Sequence, residues 1–325
     1  MPNWNDVLSE IVSFQKENPN RSNQAFDEVR RKYLRLLFEK TGRNVIAYYS
    51  AFLSKPGISG LEINDEDKNG FMMAIHNLDR RAGLDLFLHT PGGGISAAQS
   101  LVNYLQKMFD GNMRAFVPQI AMSAGTIIAC CCKVIYMAKH SNLGPIDPQL
   151  MGIPAYGVIE EFRRAYREIK KDPAKVYVWQ PILGKYHPTF LSQCENAIKL
   201  SKSFVLQQLE NVMFEGDPKA KEKALKAERA LSSFRGNKVH DKHLHYEDCK
   251  EIGLKVELIE QDQSLQDLVL TIHHCYMHSL MNTPSFKIIE NQNGVAFVKQ
   301  QLALQFGPQP VIIPGSIPTL SSNLQ

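Results

Sequence analysis

Residues 84–138 read LDLFLHTPGGGISAAQSLVNYLQKMFDGNMRAFVPQIAMSAGTIIACCCKVIYMA, and this stretch decides the fold. GLDLFLH is a short apolar run of strand length. PGGG is a sharp turn. ISAAQSLVNYLQKMF has the spacing and length of an amphipathic helix. MRAFVPQ is a second strand, the small-residue turn around Ser123 follows, and residues 124–132 continue as an apolar helix. KVIYMA is a further strand. The strands are apolar on both faces and alternate with helices. That pattern predicts an α/β fold with a mostly parallel sheet covered by helices.

Outward from this stretch the same alternation continues. NVIAYYSAF, from Asn44, is a buried strand, SKPGISG is turn material, and residues 65–80 look helical. Upstream, residues 4–40 read as two helices. Val29, Tyr33, Leu36 and Leu37 recur near a helical period in the second, and Gly42 is its C-terminal cap. Downstream, residues 157–171 and 189–215 are helical, and residues 217–235 form a very polar helix expected to be solvated. Tyr246 to Ile252 is a short helix, GLKVELI a late strand, and residues 264–282 another helix. FKIIENQNGVAFVKQ reads as a hairpin around Asn293-Gly294. From Phe306 the prolines 308, 310, 314 and 318 argue against regular structure. The organisation expected is a helical segment at 1–40, a catalytic α/β domain at 41–260, a helix-and-hairpin extension at 261–300, and an irregular tail at 301–325.

Composition narrows the class. Of 325 residues, 44 % are hydrophobic and 22 % charged, which excludes a disordered or low-complexity chain. Thirty-seven basic against 33 acidic residues leave a net charge of +4, and without a clustered basic face no nucleic-acid partner is expected. The basic run Arg30, Arg31, Lys32, Arg35 reads as a solvated helix face; association with an anionic membrane surface stays open but has no other support. Six cysteines, three of them adjacent at Cys130, Cys131 and Cys132, suit reduced thiols. With no apolar leader at the N-terminus and no uninterrupted apolar span, a soluble cytoplasmic protein is the expectation.

Two turns could carry chemistry: His89-Thr90-Pro91-Gly92-Gly93-Gly94 and Ala121-Met122-Ser123-Ala124-Gly125-Thr126. Each lies between a strand and a helix. Glycines let the backbone turn sharply and leave N–H groups free for an anion, or for an oxyanion that develops during reaction. A strand–glycine–helix turn is also often no more than a tight connection. No Gly-Lys-Ser/Thr follows, as a phosphate loop needs. The dinucleotide pattern Gly-x-Gly-x-x-Gly and the elbow Gly-x-Ser-x-Gly are also absent. On chemistry alone Ser123 is a candidate nucleophile.

The text FLHTPGGGISAAQSLVNYL…MRAFVPQIAMSAGTIIACCCKVIYMAKHSNLGPIDPQ resembles the Clp protease and signal peptide peptidase A group of serine peptidases. Within that group it is most similar to the serine dehydrogenase proteinase family. The resemblance runs from TGRNVIAYYS near residue 41, through WQPILGKYHPTF near 180, to NTPSFKIIENQNGVAF near 297. It implies the ClpP/crotonase-like fold, a spiral of stacked βαβ units, and a peptidase needing no metal or other cofactor. It also implies a peptide or protein substrate and a homo-oligomer. Ser123 matches the nucleophile, and Gly92 and Gly93 match the Pro-Gly-Gly strip. One of those amides, with that of Ala124, would form the oxyanion hole.

One departure matters. Clp proteases carry a catalytic His some twenty residues after the Ser, where this chain has Ile146 and Asp147; His140 falls too early. The signal peptide peptidase A branch uses a Ser-Lys dyad instead. Lys185 follows the apolar run VYVWQPIL, which would bury its stem and lower its pKa as a base requires. Lys139, Lys199 and Lys202 are weaker candidates. His187 is the alternative base, and Asp147 either orients a partner or caps its turn. Two rival readings are an acyl-CoA enzyme of the crotonase type and a non-catalytic scaffold of the same fold. The histidine groups His240, His243, His245 and His273, His274, His278, with Cys249 and Cys275, lack paired-cysteine zinc spacing. They read as a polar connector and a partly buried helix.

Overall fold

The computed structural model describes residues 3–232 and 242–301. Helices α1 (Trp4–Glu17) and α2 (Ala25–Thr41) open the chain, and Gly42, in the left-handed conformation, ends α2 as expected. Strand β1 (Asn44–Ser50) and helix α3 (Asp67–Ile75) follow. The deciding stretch then forms β2 (Leu84–His89), α4 (Ile95–Phe109), β3 (Met113–Val117), β4 (Ile120–Ala121), α5 (Ala124–Cys130) and β5 (Ile135–Met137). Short strands β6 (Asn142–Leu143), β7 (Gln149–Leu150) and β8 (Ile153–Pro154) lead into three helices. These are α6 (Ala155–Lys171), α7 (Val176–Leu183) and α8 (Phe190–Gln208). The chain continues through α9 (Ala220–Leu231), α10 (Tyr246–Glu251), β9 (Val256–Leu258) and α11 (Gln263–Asn282), and then the hairpin β10 (Ser285–Asn291) and β11 (Ala296–Gln300).

Seven strands make the central sheet in the order β11-β10-β1-β2-β3-β5-β9. From β1 to β9 neighbours run parallel, whereas β10 pairs antiparallel with β1, Tyr48 opposite Ile289. The hairpin at Asn293-Gly294 therefore belongs to the sheet. Alternate strand residues face opposite sides. Ile46, Tyr48, Leu84, Leu86 and Leu88 pack on one face against α3, α4 and α5. Val45, Ala47, Tyr49 and Phe87 pack on the other against α2 and α11. Two covered faces explain why β1 and β2 are buried along their whole length.

A second tier of short pairings stands at the carboxyl ends of the parallel strands. Thr90 bridges Ala121, β4 pairs β6, and Leu143 bridges Leu244; on the other flank Ile63 bridges Gly93. The mixed α/β architecture agrees with the expected ClpP-like fold. Helices α6, α7 and the start of α8 form an arm with its own small core of Val158, Ile159, Phe190 and Cys194.

Several surface expectations are corrected. Helix α9 is not a solvated face: Ala224, Ala227 and Leu231 recur at helical spacing and are buried, and buried Glu228 accepts from Ser232 Oγ at 2.8 Å. Nor is Arg30 solvated. Its guanidinium is buried, paired with Glu290 and donating to Ser279 Oγ at 2.9 Å. Run VYVWQPIL is helix α7, with Val176, Tyr177, Val178 and Ile182 exposed rather than folded around Lys185. The six cysteines are free and buried, and burial pushes the Cys130 and Cys132 thiols up to about 12. His240 and the proline-containing tail lie outside the described residues. No helix among the described residues is long and apolar enough to cross a membrane.

Candidate active site

Strand β2 ends at His89, and the next five residues run along the top of the sheet. Thr90 N–H donates to Ile120 O at 3.2 Å and Met122 N–H to Thr90 O at 3.1 Å, which fastens the first turn to the second. Beyond Pro91, Ile63 N–H donates to Gly92 O at 2.7 Å, and Gly94 N–H donates to Ile63 O at 2.9 Å. Gly93 is held between these two bonds, so its own N–H points away from Ile63. Both glycines are required. Their φ values are +100° and +153°. A Cβ on Gly92 would lie 2.8 Å from Ser123 Cβ, and one on Gly93 would lie 2.3 Å from Ile63 O. The strip thus lies directly against Ser123 and Ala124.

Ser123 immediately precedes α5 with φ +50° and ψ −113°, a conformation costly for a residue with a Cβ. The surroundings hold it there. Gly125 N–H donates to Met122 O at 2.8 Å, and Ile127 N–H to Ser123 O at 3.0 Å. Thr126 Oγ1 donates to Ala121 O at 2.9 Å and accepts from Gly144 N–H at 3.0 Å, tying the turn to β4 and β6. Ser123 is partly exposed, while Ala124 is buried.

The amides divide into used and free. Gly92 N–H donates to Thr90 Oγ1 at 3.1 Å. Among the described residues, the N–H groups of Gly93 and Ala124 and the Ser123 hydroxyl have no hydrogen-bond partner. Ser123 and Gly93 open into a cleft of about 650 Å³, within the usual range for a ligand site. One wall is Ile63, Pro91, Gly94 and Ile95; the opposite wall is Pro148, Leu150, Ala197 and Leu200. Asp65 alone among the lining residues is ionisable.

The structure therefore brings together Ser123, Gly92, Gly93 and Ala124 from the sequence-derived set. It does not bring Lys185 or His187 to them. Both are exposed in the turn after α7 and neither lines the cleft; His187 Nδ1 lies 2.7 Å from Pro188 O. Asp147 is buried, next to Pro148 of the cleft wall. Lys139 and Lys199 are exposed, and Lys202 reaches Glu228 at 3.5 Å. His243 and His245 are exposed. His273 is buried in α11 against Tyr49, and His278 packs on Trp4. Sequence reasoning missed the strap at Ile63 and the Thr90 and Thr126 hydroxyls. The Thr at the head of the Thr-Pro-Gly-Gly turn was the available sign, since such a hydroxyl commonly takes up a backbone amide two residues on.

A family model described as ClpP-like SDH-type serine proteinase matches residues 11–293. An uncharacterised protein of Methanocaldococcus jannaschii is 29% identical over 214 residues, 66% of this chain and 65% of that protein. A second uncharacterised protein of the same organism is 32% identical over 194 residues, 60% of this chain and 59% of its own length. The chain thus spans less than two-thirds of either relative. With the family match running from α1 to the β10–β11 turn, and the strand–turn–helix pairs of the deciding stretch in place, the chain belongs to the ClpP-like SDH-type serine proteinase family.

Proposed function

We propose that this protein is a serine peptidase hydrolysing peptide bonds through Ser123. The observation that carries the reading is that Ser123 and Gly93 line one cleft, with the Gly93 amide free and the free amide of buried Ala124 next to Ser123 in the chain. Ser123 Oγ attacks the substrate carbonyl carbon, and the carbonyl oxygen takes up negative charge between the Gly93 and Ala124 N–H groups. Each such donor typically contributes about 3–4 kcal/mol to the transition state. Gly92, whose amide is already bonded to Thr90, acts by letting the strip approach Ser123. Lys185 is the proton acceptor in this reading; it takes the Ser123 proton and returns it to the leaving amine, and water then releases the acyl group. Because Lys185 is exposed and outside the cleft lining, it must be carried in, by movement of the arm or from a second copy of the chain.

Fluorophosphonate labelling with mass-spectrometric mapping tests this on wild type, Ser123→Ala and Lys185→Ala. Label on Ser123 that is lost in both variants supports the dyad. Label that survives Lys185→Ala keeps the nucleophile and passes the base to His187 or another group. No label on folded protein overturns the peptidase reading and favours the acyl-CoA or scaffold alternatives.

A further inference from the structure

Behind the glycine strip lies a buried ion pair that the proposed mechanism does not use. Lys287 on β10 and Asp67 at the start of α3 are both shut off from solvent. Lys287 Nζ donates to Asp67 Oδ1 at 2.8 Å, to Oδ2 at 3.1 Å, and to Glu62 O at 2.8 Å. Asp67 Oδ2 also accepts from Asn64 N–H at 3.1 Å and from the Tyr48 hydroxyl at 2.8 Å. Separately, Thr90 Oγ1 accepts from Gly92 N–H at 3.1 Å.

The direction of this chain is fixed. An ionised carboxylate only accepts, and each hydroxyl has one proton to give. Tyr48 spends its proton on Asp67, which leaves the carboxylate's remaining lone pairs for Lys287 and Asn64 N–H. The same carboxylate and ammonium hold Asn64 N–H and Glu62 O, the groups on either side of Ile63. Ile63 brackets Gly93. One route thus runs from the ion pair, through the two peptide groups that flank Ile63, to the two that flank Gly93. Hydrophobic residues of similar size often stabilise a core as well as a buried ion pair does, so fold stability alone does not account for this arrangement.

We propose that Asp67 and Lys287, acting through the 62–64 strap, are positioning residues that aim the Gly93 N–H at the oxyanion. The proposal rests on the reading of Ser123 as nucleophile and Gly93 as donor. The side chains of Asp67, Lys287 and Tyr48 do not line the cleft, so their effect falls on the bond-making step and not on probe binding.

The test is the kinetics of fluorophosphonate inactivation of the full chain, resolved into the probe's dissociation constant and its maximal rate. A donor displaced by a fraction of an ångström to an ångström costs about tenfold to a hundredfold in rate. Tyr48→Phe, which deletes one hydroxyl, is expected to lower the maximal rate by that factor with the dissociation constant unchanged within about threefold. Asp67→Ala should do the same, and Asp67→Asn, whose amide oxygen can still accept from Asn64 N–H, should recover rate relative to it, a distinction that bulk packing would not produce. Circular dichroism establishes that each variant is folded; should Tyr48→Phe fail to fold, the Asp67 pair decides. A wild-type maximal rate in folded Tyr48→Phe, or equal rates in Asp67→Asn and Asp67→Ala, overturns the positioning role while leaving the Ser123 reading intact. An absence of wild-type labelling at Ser123 removes that reading and the proposal with it.

Discussion

Replacing His89 by Phe should make the protein resistant to mild acid. His89 ends β2 with its ring buried, and neither ring nitrogen has a hydrogen-bond partner among the described residues. Its neighbours are the rings of Tyr49 from β1, Phe52, and His273 from α11, at 5.3, 5.0 and 5.5 Å between centroids. The other titratable groups on this side are imidazoles: His274 from α11 and His140 from the turn after β5 also act on His273. Burial pushes His89 down to about 3 from an ordinary value of 6.5. As pH falls, the unfolded chain takes up a proton near 6.5, and the folded chain does not until about 3. Between those values the unfolded state holds the extra proton, so stability decreases as pH decreases. From pH 7 to pH 5 the loss from His89 alone is about 2 kcal/mol, and His273, also held well below its ordinary value by burial, adds in the same direction. Urea denaturation at the two pH values, on wild type and His89→Phe, measures this. The variant should lose about 2 kcal/mol less than wild type between them. At pH 7 it should be at least as stable, because an unpartnered buried imidazole has lost its hydration without return. Parallel pH profiles for the two proteins would refute the reasoning.

Ser123→Gly should raise the thermal midpoint, by relieving about 1 kcal/mol of backbone strain at φ +50°, and should abolish fluorophosphonate labelling. Gly93→Ala sets a methyl 2.3 Å from Ile63 O; we expect a loss of about 1–3 kcal/mol in chemical denaturation and labelling slowed at least a hundredfold. Glu290→Gln removes the buried anion of the Arg30 guanidinium, leaving only the half-exposed Asp27 at 2.8 Å, and also weakens the bonds from Arg31 Nε at 2.8 Å and Tyr276 OH at 3.0 Å. Denaturation should show a cost of about 3–5 kcal/mol, with the labelling rate of the folded protein unchanged.

What could be read from the residues follows a physical divide. Helix α4 was legible to its ends because its signals are local: Gly94 precedes it, and Asp110 in the left-handed conformation closes it. The strands of the deciding stretch were legible from apolar runs punctuated by turns. The candidate nucleophile and its glycines were legible because a strand-to-helix turn brings neighbours in sequence together. Distant pairings were not. That β10 lies antiparallel to β1, or that Lys287 meets Asp67, depends on which strand edge is free once the rest has folded, and no local pattern records it. The Lys185 expectation failed to find its apolar enclosure for a related reason. VYVWQPIL is apolar, but as the exposed side of an arm it has no second layer against it in the single chain. Arg30 and Glu228 looked like surface charges because their distant partners, Glu290 and Lys202, become evident only when the helices dock.

The two walls of the cleft differ in kind. The Pro91–Gly94 wall is main chain laced to Ile63, and it has little freedom to move. Leu150, Ala197 and Leu200 opposite it sit at the root of the arm, and Leu150 packs into the arm's own core as well. The arm is in effect a lever with its fulcrum at the cleft. Tyr177 on α7 is exposed, so a partner that displaced the arm there would change the gap over Ser123 and leave the Ile63-laced strip in place. Lengthening or regrafting that lever is therefore open to evolution or design as a way of changing what enters the cleft without disturbing the chemistry waiting at its floor.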